Sequence, residues 1–427
     1  MKPIRMLGAM VVLAAGLLSG QISVTLAPSL SSPVPLGTVV TFTASASGPN
    51  LGTPTYRFRA ALAGTPLRTV VDYGPNASLD WTTIEREGTY EVEVTARSGD
   101  AAQSASASIL MAMTSLVTNS APMITPTANP LVFIYSAPVC AMGQVLSVQF
   151  TSPEGYVQST PAKPCNGFSM NFYLAGMRSQ AQYRVQQMAA LDTPAASPPM
   201  GLTTPGVTLQ TPPASVLATD PPAMDGIILQ SPFGSPAIAT DLNGSVVWYY
   251  AGNISYLTRP VTGGTFMGLA EDGTKDRSQQ FFREFDLAGI TLAETNAARL
   301  NEQLAAIGVN PINGFHHEAR KLSNGDYLVL ANSERILTDV QGPGPVDVIG
   351  DTILILDPNL QVLWAWDAFD HLDPHRAAIL RETCAYPAGL ACAPFYLAPH
   401  ANDWLHGNSV QLTPDGNISG SPELRGS

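Results

Sequence analysis

The chain has 427 residues, a formal net charge of −12 and only 13% charged residues. An acidic chain of this kind is repelled by phosphate backbones and anionic lipids, so neither nucleic acid nor an anionic membrane surface is an expected partner. Its 36 glycines and 36 prolines favour short strands joined by tight turns, and its length exceeds that of one ordinary core, so we expect two to four domains.

Residues 1–20 have the order of a secretory signal. Lys2 and Arg5 precede an apolar run from Met6 to Leu18, and the small residues Ser19-Gly20 follow it. The run is too short to serve comfortably as a permanent membrane anchor. We therefore expect a secreted or periplasmic protein without an integral membrane segment after signal cleavage.

Residues 21–115 alternate β-branched or aromatic residues with polar ones, most clearly at 38–44 and 89–96. This period of two predicts strands, and about 90 residues of such strands suit one β-sandwich. Because residues 88–92 resemble a strand of immunoglobulin-like domains, we predict an immunoglobulin-like sandwich here.

A second, smaller β unit is predicted over residues 116–190, with clear strands at 131–135, 145–150 and 168–173. Its last segment resembles an edge of a fibronectin type III-like domain. Residues 191–222 are rich in Pro, Ala, Thr and Ser, which predicts a semi-extended linker.

The chain has four cysteines, which allow three pairings. Proximity favours disulfides between Cys140 and Cys165 and between Cys384 and Cys392. The sequence contains no Cys-x-x-Cys spacing, so a metal site built from these cysteines is less favoured. Two local disulfides agree with an oxidising compartment.

From residue 223 to residue 427 the sequence becomes repetitive. Two hairpin types alternate, as in four-stranded propeller blades, and the length allows about four blades of ~45–50 residues. The first type turns at Asp-x-x-Gly or a close variant, and the second turns at glycine. The first type falls at 239–248, 285–290 and 356–364, and the second at 261–270, 322–330 and 412–418.

Four of the six histidines fall in two short segments that each precede a glycine turn: His316 and His317, then His400 and His406. Imidazoles at the same point of a repeated β unit tend to converge on one axis. There they can bind an anion, ligate a metal or act as a nucleophile. Since His316 and His317 are adjacent, an extended backbone would turn only one of them toward a central channel. The remaining pair, His371 and His375, matches no strong metal motif, and no metal is expected.

The segments Gly314–Glu318 and Asp403–Ser409 look like those of the bacterial arylsulfotransferase family, and the resemblance covers about residues 223–419. It implies a six-bladed propeller that moves a sulfuryl group between phenols without a nucleotide donor. It therefore implies an aryl sulfate donor and a phenolic acceptor as small-molecule partners, and no cofactor.

The resemblance also implies roles for individual residues. His406 and Asn408 would line the sulfuryl pocket, and His316 or His317 would join them. Asp403 and His400 are weaker candidates for substrate binding. The catalytic candidates are therefore His406, His317 and His316, and the substrate-binding candidates are Asn408, Asp403 and His400.

In that family the sulfate-carrying histidine and an active-site arginine lie downstream of the Asp403–Asn408 segment, and this chain stops at Ser427. We therefore expect an all-β chain with two sandwich domains and about four of six blades. The expected function is exported aryl-sulfate sulfotransfer through a sulfohistidine, impaired by C-terminal truncation. The alternative is a non-catalytic secreted binding or adhesion protein with immunoglobulin-like modules and a degenerate propeller.

Overall fold

The computed structural model describes residues 21–189, 193–194, 198–209, 226–232, 235–261, 263–270, 276–378, 382–385, 400–412 and 418–419. In these ranges the chain is all-β, with several open sheets and two short helices. Neither of the two described helices is long and apolar enough to cross a membrane.

The first unit consists of two sheets that share one hydrophobic core. Its strands are β1 (Ser23–Pro28), β2 (Val34–Pro35), β3 (Val40–Ser47), β4 (Thr55–Leu62), β5 (Arg68–Gly74), β6 (Ser78–Trp81), β7 (Gly88–Arg97) and β8 (Ser104–Thr114). One sheet has the order β1-β3-β6, and the other contains β2-β8-β7-β4-β5. In β7, Tyr90, Val92 and Val94 are buried and alternate with Glu91 and Glu93, because successive side chains of a strand point to opposite faces.

The second unit also has two sheets, β9-β10-β14 and β12-β11-β15-β16, with β13 on β11 and β17 on β15. Its strands are β9 (Met123–Pro126), β10 (Phe133–Ala137), β11 (Val145–Thr151), β12 (Val157–Ser159), β13 (Lys163–Pro164), β14 (Met170–Leu174), β15 (Gln182–Ala189), β16 (Thr193–Pro194) and β17 (Met200–Thr203). The Cys140–Cys165 disulfide is present, with Cα atoms 5.7 Å apart, which confirms that pairing.

Strand β17 lies in the region predicted to be linker. Met200 to Thr203 pair in antiparallel register with residues 182–185 of β15. The second unit therefore extends beyond residue 190, which corrects the predicted boundary. The Pro-rich composition concealed this strand because its pairing partner precedes it by many residues.

The third unit consists mainly of antiparallel meanders. Its elements are β18 (Ile227–Gln230), β19 (Ile238–Asp241), β20 (Val246–Tyr249), β21 (Tyr256–Val261), β22 (Thr265–Ala270), β23 (Phe281–Asp286), β24 (Thr291–Asn296), α1 (Ala297–Ala306), β25 (Gly314–Lys321), β26 (Tyr327–Thr338), β27 (Pro345–Leu356), β28 (Val362–Asp367), α2 (Ala368–His371), β29 (Glu382–Ala385), β30 (His400–Asp403), β31 (Gln411–Leu412) and β32 (Ile418–Ser419). Strands β18–β20 form a three-stranded meander, and β21–β24 and β25–β28 form two four-stranded ones. Met267, Phe282, Val329 and Leu354 contribute to one core between the four-stranded meanders.

The predicted Asp-turn hairpins share one hydrogen-bond pattern. In each hairpin the Asp Oδ1 accepts a hydrogen bond from the backbone N–H four residues later, which closes the turn. The donor–acceptor distances are 2.9 Å for Asp241, 2.9 Å for Asp286 and 2.8 Å for Asp357. This pattern explains why the turn recurs in the sequence, because an Asp side chain readily bonds to nearby backbone N–H groups.

The first unit docks onto the third through β5. Val71 of β5 pairs in parallel with Glu294 of β24. Arg299 of α1 approaches Asp72, with Nε 3.2 Å from Oδ2, and Asn296 Nδ2 donates to the Tyr73 carbonyl at 2.9 Å. These contacts link parts of the chain more than 200 residues apart.

Candidate functional site

His316 and His317 lie in β25, where the pairing with β26 shifts between Phe315 and Ala319. His317 has φ of +50°, in the left-handed region. This irregular backbone breaks the alternation of side chains, and the two rings come within 5.3 Å of each other, centroid to centroid. Both imidazoles therefore belong to one cluster, which corrects the expectation that only one could point inward.

His406 reaches the same place through β30. Asp403 pairs in parallel with Ile349 of β27, and the buried Trp404 donates its backbone N–H to the Ile349 carbonyl at 3.0 Å. The His406 ring centroid is 4.8 Å from that of His317. The three histidines thus converge from segments 89 residues apart, as the sequence pattern predicted for His406 and the earlier pair.

A chain of hydrogen bonds connects Asp403, His406 and His317. His406 Nδ1 is 2.6 Å from Asp403 Oδ2, and His406 Nε2 is 2.6 Å from His317 Nε2. A carboxylate only accepts hydrogen bonds, so we assign a proton to His406 Nδ1. With His406 neutral, its Nε2 then accepts the bond from His317 Nε2–H. The arrangement can therefore pass a proton along a defined path.

His316 is the most buried of the three, with 6% of its surface exposed. Its Nε2 is 3.2 Å from Asp351 Oδ1, close enough for an ion pair but outside hydrogen-bond geometry. Within the described residues neither ring nitrogen has a hydrogen-bond partner. Asp351 Oδ2 accepts the Gly407 N–H at 2.5 Å, so one carboxylate connects the loop of His406 to His316.

Burial, followed by the neighbouring His316 and His406, lowers the pKa of His317 below its ordinary value, against the opposing effect of Asp351 and Asp403. His317 is consequently neutral at neutral pH. A neutral imidazole can donate a hydrogen bond at one nitrogen and offer a lone pair at the other.

Of the other predicted substrate-binding residues, one is exposed and one has its side chain outside the described part of the chain. Asn408 is exposed. His400 lies in β30 opposite Ala385, and its side chain is outside the described part of the chain. Of the predicted second disulfide, only the backbone of Cys384 is described, and Cys392 lies outside the described residues.

Sequence reasoning missed two residues at the site. Asp351 lies in β27 and is 5% exposed, within a run of buried residues. Two buried carboxylates, Asp347 and Asp351, in a largely apolar strand are the signal that could have drawn attention to it, because buried charges need specific partners. The Tyr256 ring, 5.7 Å from that of His317, adds an aromatic neighbour from β21. The residues around Tyr256 predict a strand and do not indicate a role at the site.

The fold and the cluster define an all-β protein whose third unit holds three histidines between two carboxylates. Residues 210–422 match the model of the arylsulfotransferase (ASST) family. This match places residues 210–422 in the arylsulfotransferase family, which supports an aryl sulfotransferase activity in general. No curated protein matches the chain.

Proposed function

We propose that this protein transfers a sulfuryl group from a phenolic sulfate ester to a second phenol at the histidine cluster. The hydrogen-bonded chain Asp403–His406–His317 carries the proposal, because it supplies a proton carrier held in one orientation by a carboxylate. Membership of the arylsulfotransferase family gives the reaction class.

The chemistry proceeds in two steps. In the first, an imidazole nitrogen of the pocket attacks the sulfur of the aryl sulfate, the sulfur–aryl oxygen bond breaks, and the leaving phenolate takes a proton from the His406 imidazolium, which becomes neutral. In the second, the acceptor phenol returns a proton to His406 while its oxygen attacks the sulfur and the nitrogen–sulfur bond breaks. Asp403 stabilises the His406 imidazolium that exists before the first step and is restored after the second.

The test is transfer from 4-nitrophenyl sulfate to phenol, followed by nitrophenolate absorbance, with binding of the ester measured separately. We expect His406→Ala and Asp403→Asn to lower kcat by about 10²–10⁴-fold, the usual contribution of general acid–base catalysis. His375→Ala is the matched control, because His375 also pairs with an aspartate, Asp373 at 2.9 Å, but is exposed. It should leave kcat unchanged.

The outcomes separate catalysis from binding. Ester binding that needs His406, with no nitrophenolate release, would favour a non-catalytic binding protein over an enzyme. The role of the cluster would be overturned if the protein neither bound the ester nor released nitrophenolate. Release that survives His406→Ala would overturn it as well.

We also propose that the protein is exported, with its mature form beginning between about residues 19 and 28. The Cys140–Cys165 disulfide supports this proposal, because such bonds persist in oxidising compartments. Mass spectrometry of secreted protein tests it, and soluble cytoplasmic protein with an intact Met1 would contradict it.

We further propose that the two four-stranded meanders are propeller blades and that the first two units are immunoglobulin-like and fibronectin type III-like. The antiparallel order of β21–β24 and β25–β28 supports the first assignment. The two-sheet arrangement of each N-terminal unit supports the second. An experimental structure in which the meanders do not pack around a common axis would contradict the propeller.

A further inference from the structure

We propose that His316, His317 and His406 form a three-nitrogen site for a divalent transition-metal ion, with Zn²⁺ as the probe. The inference rests on the positions of the ring nitrogens and carboxylates and not on sulfuryl transfer, although it uses the same histidines as the proposed function. Three histidines with an open fourth position are a known ligand set for zinc.

The nitrogen positions support such a site. One ring nitrogen from each histidine lies within 4.8 Å of the others. Zinc–nitrogen bonds of about 2.0–2.1 Å in tetrahedral geometry place two ligand nitrogens ~3.3 Å apart. The Nε2 atoms of His317 and His406 are 2.6 Å apart, so these two rings would have to separate by roughly 0.7 Å and His316 would have to move inward. The ion would replace the hydrogen bond between the rings.

The carboxylates complete the arrangement. Asp403 accepts the His406 Nδ1–H, which leaves Nε2 as the metal ligand. Asp351 Oδ1 lies 3.2 Å from His316 Nε2, and Asp351 Oδ2 accepts the Gly407 N–H. Carboxylates behind ligating histidines fix the ring orientation and raise ligand basicity. Two carboxylates also balance the charge of a divalent cation.

His316 provides an independent reason to expect a ligand. Its ring is almost fully buried, and neither nitrogen has a hydrogen-bond partner among the described residues. Buried polar groups in folded proteins are normally satisfied, and one that is not calls for an explanation such as an ion. Imidazole favours Zn²⁺, Cu²⁺ and Ni²⁺, whereas Mg²⁺ and Ca²⁺ prefer oxygen ligands. The site should therefore discriminate between these two groups of cations.

The experiment uses chelator-treated full-length protein and measures binding by isothermal titration calorimetry and bound metal by mass spectrometry. We expect one Zn²⁺ per chain, no binding of Mg²⁺, and loss of Zn²⁺ binding in His406→Ala. Asp403→Asn should weaken binding by about 10–100-fold, as outer carboxylates typically do. His375→Ala, which alters an exposed histidine, should bind Zn²⁺ like the parent protein.

His317→Asn is a second variant that removes an imidazole and is expected to keep the fold, because asparagine accepts the left-handed backbone that His317 adopts. This variant should lose Zn²⁺ binding while circular dichroism shows the parent β signal. Absence of stoichiometric Zn²⁺ binding, or binding that survives both His406→Ala and His317→Asn, would overturn the site.

Parallel sulfuryl-transfer assays with and without chelator separate this inference from the proposed function. Transfer by metal-free protein that binds no Zn²⁺ would leave the function standing and remove the metal site. Stoichiometric Zn²⁺ binding without any sulfuryl transfer would support the metal site and remove the proposed function.

Discussion

His317 shows how one backbone conformation assembles the site. A non-glycine residue at φ of +50° is uncommon and strained by about 1–3 kcal/mol. Here the strain lies where two adjacent imidazoles must face the same side of the strand. An extended His317 would turn its ring to the opposite face and break its hydrogen bond with His406.

The lowered pKa of His317 predicts a pH-dependent contribution to stability. Because protonation is less favourable in the folded state than in the unfolded state, the unfolded chain binds more protons between the lowered pKa and about 6.5. The free energy of unfolding should therefore fall as pH falls through this window. His317→Asn should remove that part of the slope in urea titrations from pH 7.5 to 5. An unchanged slope would show that His317 titrates normally, and His375→Asn is the exposed control.

Gly407 is predicted to be sensitive to any added side chain. A Cβ there would lie 2.7 Å from Asp351 Oδ2, the atom that accepts the Gly407 N–H. Gly407→Ala should cost about 1–3 kcal/mol in urea unfolding and weaken aryl sulfate binding, because it displaces the carboxylate next to His316. Gly201→Ala is the control, since a Cβ at that strand position meets no atom within 4 Å. Equal effects of the two variants would contradict the close approach.

Among single residues, the sequence predicted that His406 lies close to His316 or His317, because each of the two segments precedes a recognisable glycine turn. It did not predict the joint participation of His316 and His317, which depends on a dihedral angle of one residue. Asp351 was missed because the antiparallel pairing of β26 with β27, together with the parallel pairing of β27 with β30, brings it to the site.

Among elements, the Asp turns are the most regular feature of the third unit. Two of them have glycine at positive φ, Gly244 at +79° and Gly289 at +87°. The third uses Leu360 at +65°, and this leucine is fully buried in the core between the meanders. Its packing therefore compensates for a conformation that glycine would adopt more easily.

The Asp turns should differ in how much they contribute to stability. Asp286 also accepts the Tyr173 hydroxyl at 2.6 Å, which ties the third unit to the second, whereas Asp357 bonds only within its turn among the described contacts. We expect Asp286→Ala to cost about 1.5–3 kcal/mol and Asp357→Ala about 1 kcal/mol in urea unfolding. A double-mutant cycle with Tyr173→Phe should give a coupling of about 0.5–3 kcal/mol. Zero coupling would show that the hydroxyl contact is not formed in solution.

These turns could be predicted because their chemistry lies within five consecutive residues. Helix α1, strand β17 and the parallel pairing of β30 with β27 could not be predicted. Leu300 and Leu304 of α1 are buried against the β meanders, and Asn296 caps the helix with a 2.9 Å bond to the Arg299 N–H. Such elements depend on partners distant in sequence, which a local pattern does not reveal.

At the scale of the whole molecule, a charged contact joins the first and third units. Asp72 is fully buried, and the Arg299 guanidinium lies beside it and over the Tyr73 ring at 5.4 Å. Burial raises the pKa of Asp72, and Arg299 opposes the rise. The carboxylate therefore depends on a cation from a helix 227 residues further along the chain.

Removing that cation should uncouple the two units. Arg299→Ala leaves a buried carboxylate without its main charge partner, which typically lowers the free energy of unfolding by about 3–5 kcal/mol. Calorimetry should therefore resolve separate unfolding transitions for the two units in the variant, whereas in the parent protein the two units should unfold more cooperatively. Since the pKa of Asp72 rises further without Arg299, the folded variant binds more protons than its unfolded state. Its stability should therefore fall as pH rises above the ordinary pKa of an aspartate.

Asp72→Asn in the Arg299→Ala background should restore part of the loss and abolish the pH dependence, because the amide carries no charge. Arg184→Ala, which removes an exposed arginine of β15, is the control and should change neither the transitions nor the slope. If Arg299→Ala unfolds in one transition at the parent temperature, the contact does not hold the units together. The remaining contacts between the units, among them the Val71–Glu294 pairing, the Asn296 bond to Tyr73 and the Arg97–Glu302 ion pair, would then supply the coupling.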